Sequence, residues 1–149
     1  MNGRLALCAA LALAGCDSLP KDPDGTLDRV KAQHSFRVGL VATGDVQIGT
    51  DRRDAFLRRV AAATGAAPSV KEGAAEPLLL ELQDGQLDLV VGILSPDSPW
   101  LGRVTLLRPI GETVAPQHLL LTPIARNGEN RWIMLLEREA RAEAAESAS

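Results

Sequence analysis

The sequence predicts an α/β fold with a mostly parallel sheet flanked by helices. Three observations carry that prediction. Leu78, Leu79 and Leu82, with Ala75 one turn earlier, give residues 75–83 one apolar helical face. Leu87, Leu89, Val90, Val91, Ile93 and Leu94 then form a nearly continuous apolar run, which suits a strand buried on both faces. Read from residue 26, helical and extended patterns alternate, as in a chain of crossover units. A length of 149 residues fits one domain, and a 46% hydrophobic content supplies a core.

The elements follow in order. Thr26 is placed to cap a short helix ending near Gln33, with Leu27, Val30 and Lys31 inside it. Residues 36–41 read as the first strand, and Thr43, Gly44 and Asp45 as the loop after it. Thr50 or Asp51 caps the next helix, which Gly65 stops. Its stripe is Phe56, Val60 and Ala63; Arg52, Arg53, Arg58 and Arg59 form its wet side. Residues 68–71 are a short strand, and Gly73 leads into the leucine-rich helix, which Asp84-Gly85 ends. Ser95-Pro96-Asp97-Ser98-Pro99 closes the next strand, because proline does not continue a central strand. Residues 104–107 form another strand; 113–115 and 118–122 are further β candidates. Residues 126–130 are a turn and helix start, and the helix follows from 131 to about 143. Trp132, Ile133, Leu135, Leu136 and Ala140 are its packing residues, while Glu137, Arg138, Glu139 and Arg141 form a charged, solvated face. Residues 144–149 fray.

Two stretches carry a resemblance. One runs Gly25-Thr26-Leu27-Asp28-Arg29-Val30 and on to Phe36-Arg37-Val38-Gly39; the other is the apolar helix followed by Gly85-Gln86-Leu87-Asp88-Leu89-Val90-Val91-Gly92, a polar loop and Arg103-Val104. Together, over about residues 25–110, they resemble bacterial extracellular solute-binding proteins of the polar amino-acid type. The resemblance implies a periplasmic-binding-protein-like fold. Members of that family have two lobes, yet only some 40 residues follow Pro109 here. That is too few for a second core, so residues 25–143 are expected to form a single lobe. The family also places Thr-x-x-Arg after this strand, with the Arg gripping an amino-acid carboxylate. In this chain those positions fall on Asp97 and Trp100, and the family's Pro-Tyr is Pro109-Ile110. Arg103 lies three residues out of register.

The N-terminus reads as an address. Arg4 precedes an apolar stretch over 5–14, and Leu13-Ala14-Gly15-Cys16 closes it. The apolar part is far shorter than the roughly 20 residues of a membrane-spanning helix. Leu-Ala-Gly-Cys resembles a bacterial lipobox, which implies cleavage before Cys16 and lipid on its sulfur; an ordinary signal peptide or an N-terminal helix are the other readings. Residues 17–24, with Pro20 and Pro23, read as a tether. The expected location is the bacterial cell envelope, lipid-anchored to a membrane and facing the periplasm. Asp17 after the cysteine resembles an inner-membrane retention signal.

Strand-end loops are where open α/β sheets bind ligands. The candidate ligand residues are therefore Thr43, Gly44, Asp45, Gly73, Ser95, Asp97, Ser98 and Trp100. Trp100 either stacks on a flat ligand, anchors a partner or covers the sheet. Asp45 and Asp97 either meet an amine or cation or serve ordinary turn chemistry. No catalytic residues are assigned: His34 and His118 have no spaced partner, and no nucleophile elbow, zinc-protease pair or phosphate loop is present. The cysteines, Cys8 and Cys16, form no metal site, and no cofactor is implied. A net charge of −3 with scattered bases excludes a nucleic-acid surface. The leading expectation is a lipoprotein resembling the substrate-binding component of an ABC transporter, binding or sensing a small solute. The alternative is a non-catalytic module that docks on a membrane protein or self-associates.

Overall fold

Residues 35–41 alternate in which side they bury, and that alternation sets the centre of the molecule. In β1 (Ser35–Val41), Phe36, Val38 and Leu40 are buried towards one face of the sheet. Gly39 faces the other way, where an added Cβ would meet Leu87 at 2.8 Å and Leu78 at 3.1 Å. The computed structural model describes residues 22–42, 49–95, 97–112 and 119–146.

The remaining elements are α1 (Thr26–Gln33), α2 (Thr50–Thr64), β2 (Ala67–Gly73), α3 (Ala75–Gln83), β3 (Leu89–Gly92), β4 (Val104–Leu106), β5 (Gly111–Glu112), β6 (Leu120–Arg126) and α4 (Asn130–Glu146). The strand order is β2-β1-β3-β6-β4, with β5 paired to β6. β1 is parallel to β2 and β3, whereas β6 runs antiparallel to β3, β4 and β5. All the strands except β6 therefore share a direction, and their carboxyl ends lie at one edge of the sheet. α1, α2 and α4 cover one face, around Phe36, Phe56, Val60, Trp132 and Leu136. α3 covers the other, where Leu78, Leu79 and Leu82 pack on Val90 and Ile124.

Several details differ from the sequence reading. Neither α1 nor α2 has a side-chain cap: Gly25 and Gly49 hold the N-cap positions at φ 60 and 56. At α1 the capping acceptors come from elsewhere. Glu129 accepts the Asp24 and Thr26 N–H groups at 3.0 Å, and Asp22 accepts that of Leu27 at 3.3 Å. Residues 22–24 are thus docked on the domain rather than serving as free tether. β6 runs on through Pro123, inside the sheet, to Arg126; the Pro123 carbonyl accepts the Leu107 N–H at 3.0 Å. β6 therefore takes in Arg126, which the sequence reading gave to a turn. α4 continues past 143 to Glu146, because Glu143 is buried and Glu146 pairs with Arg59 at 2.7 Å. Its charged face is not simply solvated: Glu139 is buried beside Arg59, and Glu137 accepts the Arg108 N–H at 2.9 Å. The β candidate at 113–115 lies outside the described residues.

Candidate functional site at the carboxyl ends of the strands

β3 ends at Gly92, which has no side chain because it lies against Val41 of β1; a Cβ there would sit 2.4 Å from the Val41 Cγ2. The chain can therefore leave the sheet close to the end of β1. It passes Ile93, Leu94 and Ser95, then enters a 3₁₀ turn over Pro99–Gly102. The Ser95 hydroxyl accepts the Asp97 N–H at 3.4 Å and the Ser98 hydroxyl accepts the Trp100 N–H at 3.3 Å, so both serines tie the loop to itself. Proline at the first position of the turn adds a fixed φ.

This loop and the first turn of α3 border an open hollow of about 360 Å³, lined by Ala75, Glu76, Leu79, Ile93, Leu94, Ser95, Asp97, Ser98, Pro99 and Trp100. Its floor is apolar and its charged side chains are Glu76 and Asp97, both exposed. Glu76 sits where its charge complements the positive end of the α3 dipole. A second hollow of about 370 Å³ at the same end is lined by Arg52, Pro109, Ile110, Gly111, Glu112, Leu120 and Ala144.

The structure places the sequence-derived candidates as follows. Ser95, Asp97, Ser98 and Trp100 come together in the first hollow. Trp100 does so from below: it is 7% exposed and packs with Leu78, Leu79 and Val104. The Arg103 guanidinium lies over its ring at 5.4 Å from the centroid. Gly73 ends β2 and faces Leu78, 3.4 Å from where a Cβ would be. Thr43, Gly44, Asp45 and Cys16 lie outside the described residues. The sequence reading missed Glu76, Leu79, Ile93 and Leu94. Glu76 was legible in principle, as the acid in the first turn of the helix that follows β2.

The opposite end of the sheet is a dense polar network. The Asp88 carboxylate accepts the Arg37 backbone N–H at 2.8 Å, two guanidinium N–H groups of Arg37 at 3.1 and 2.7 Å, and one from Arg29. That hydrogen bonding raises the pKa of Arg37 further. Burial works against the ionisation of Glu129, but donors from Thr26 and Asp24 outweigh it and hold the carboxyl below the ordinary range. Asp22, facing Glu129, is pushed up, first by burial and then by that carboxyl. Trp132 donates its indole N–H to the Asp88 carbonyl at 2.7 Å. Among the described residues there is no group of three or more metal-ligating side chains, and no helix is long and apolar enough to cross a membrane.

No protein-family model and no curated protein matches this chain. Solved structures do. The arginine-bound form of domain 1 from TmArgBP matches with a TM-score of 0.63 at 14% identity, over 77% of this chain and 98% of that one. The ancestral amino acid-binding protein AncCDT-1, described as a precursor of cyclohexadienyl dehydratase, gives 0.64 at 11%, over 82% and 94%. The VFT2 domain of Bordetella pertussis BvgS gives 0.64 at 8%, over 84% and 95%. The chain has the fold of a periplasmic-binding-protein domain. Identities this low establish fold, and the ligand chemistry must come from this chain's own residues.

Proposed function

We propose that this protein is an envelope lipoprotein that binds or senses a small solute with a single lobe, in the manner of the substrate-binding component of an ABC transporter. The observation that carries the reading is the hollow between the first turn of α3 and the loop after β3. It lies at the carboxyl ends of the strands, the edge at which open α/β sheets take ligands. A single lobe is a credible binder, since domain 1 of TmArgBP is described alone in an arginine-bound form. Lipid on Cys16 would hold the lobe to a membrane, with the inner membrane favoured by Asp17.

A thermal-shift and calorimetry screen against small amines, amino acids and carboxylates tests the reading. A solute held at 100 times its dissociation constant stabilises the fold by about 2.7 kcal/mol. A flat response across the panel removes it. Mass spectrometry of the mature protein tests the anchor: it should begin at an acylated Cys16. The second reading is a docking module, favoured by Met134 at 72% and Leu106 at 40% exposure. Concentration-dependent dimerisation without any solute response would support it.

A further inference from the structure

The identity of the solute can be narrowed from the same hollow, so this inference rests on the solute-binding reading above. We infer that the hollow takes a small organic cation without a carboxylate, such as an alkylamine or a quaternary ammonium, with its charge between Glu76 and Asp97 and its hydrocarbon on Leu79, Ile93 and Leu94. The charges along the wall and the character of its remaining lining lead there.

The hollow has no basic lining residue among the described residues, and its two charged lining residues are both acids. The bases that come nearest to consideration are otherwise placed. Arg103 stacks over Trp100 without joining the wall, and Arg52 lines the separate hollow at 109–112. Trp100, at the same wall, gives its ring to the core beneath α3. A guanidinium that pairs with a carboxylate through two parallel hydrogen bonds has no substitute in an indole, which has one N–H donor and no charge.

The remaining wall fits the other half of such a ligand. Leu79, Ile93, Leu94 and Trp100 are apolar, and the Ser95 and Ser98 hydroxyls are already engaged by backbone N–H groups. A hydroxyl-rich solute such as a sugar would find few free partners there. A volume of about 360 Å³ admits a ligand of modest size. An amine over two carboxylates, with its alkyl part on leucine and isoleucine, uses every feature of the wall. A free carboxylate on the ligand would instead face Glu76 and Asp97, which repel it.

Isothermal titration with n-butylamine, tetramethylammonium, butyrate and arginine, at matched ionic strength, decides the matter on the full mature chain. Glu76→Gln and Asp97→Asn are the variants; both sites are exposed, and circular dichroism and melting confirm their folding. Binding of butylamine or tetramethylammonium, weakened at least tenfold in each variant, with butyrate silent, is the expected result. Binding of butyrate or arginine that both variants leave unchanged overturns the cation assignment while leaving a solute-binding lobe. Silence from all four probes overturns the assignment as well, and silence extending across the wider solute panel removes the solute-binding reading itself.

Discussion

At the amino ends of the strands the two central carboxylates, Asp88 and Glu129, are 4% and 1% exposed, and each of their oxygens accepts a hydrogen bond or meets a guanidinium. At the carboxyl ends, Glu76 and Asp97 are exposed at the rim of a hollow whose floor is apolar. Both ends draw on ordinary acids and bases, yet one end is closed by them and the other is left open. Buried charges must be matched by fixed partners, so they lock geometry. Exposed charges beside an apolar hollow remain available to an incoming ligand. The amino end ties α1, β1 and the segments after β6 together through buried carboxylates, and the carboxyl end is left open.

The comparison can be broken most strongly at Asp88. Asp88→Ala leaves Arg29 and Arg37 without their shared partner and the Arg37 backbone N–H without an acceptor. A loss of about 3–5 kcal/mol is expected in urea unfolding, large enough to threaten folding at physiological temperature.

The next effect lies at the open end. Gly92→Ala drives a methyl group to 2.4 Å from the Val41 Cγ2, so the ends of β1 and β3 must separate. A cost of roughly 1–3 kcal/mol is expected. Because the hollow begins just after Gly92, solute affinity should fall along with the melting temperature, which calorimetry reads directly.

A smaller and oppositely signed effect comes from Asp22. Glu129, held low, contributes stability fully above the ordinary glutamate range and loses it as pH falls through its depressed folded value. Asp22, pushed up, acts the other way: its contribution is complete below the ordinary aspartate range and is lost as pH rises through its elevated folded value. Asp22→Asn removes the repulsion and offers Glu129 a donor while keeping an acceptor for the Leu27 N–H. At neutral pH it should stabilise the fold by up to about 1 kcal/mol, with the gain fading in acid. Unfolding midpoints across a pH series from acid to neutral check the sign.

The smallest stability effects sharpen the contrast. Glu76→Gln and Asp97→Asn should change unfolding free energy by no more than about 0.5 kcal/mol, although both are expected to weaken cation binding. Carboxylates at one end of the sheet would then matter for stability, and those at the other for affinity.

Much of this was legible in the chain. The leucine spacing at 78–82 gave α3, and the run from Leu87 to Leu94 gave the buried strand β3, because helical and extended periods leave different marks on apolar positions. Gly65 and Gly85 marked helix ends through their positive φ. That the loop holding Ser95, Asp97, Ser98 and Trp100 stands at the carboxyl ends of the strands, where it lines a hollow, followed from topology alone. Other features depended on residues far apart in sequence. Capping of α1 is supplied by Glu129, more than 100 positions away, so no local pattern announces it. The sequence reading ended this strand at 122, yet β3 and β4 pair with it on both sides and carry it on through Pro123. Trp100 could be named as a site residue from its position, but its burial is set by α3, which comes from another part of the chain.

What the sequence determined by itself was the succession of helices and strands and the direction in which they wind, because periodicity and glycine stops are local properties of the chain. Which carboxylates would be locked away and which left facing a hollow was decided only when β6 slid between β3 and β4 and α4 folded back, since burial and charge pairing depend on neighbours that sequence order does not specify.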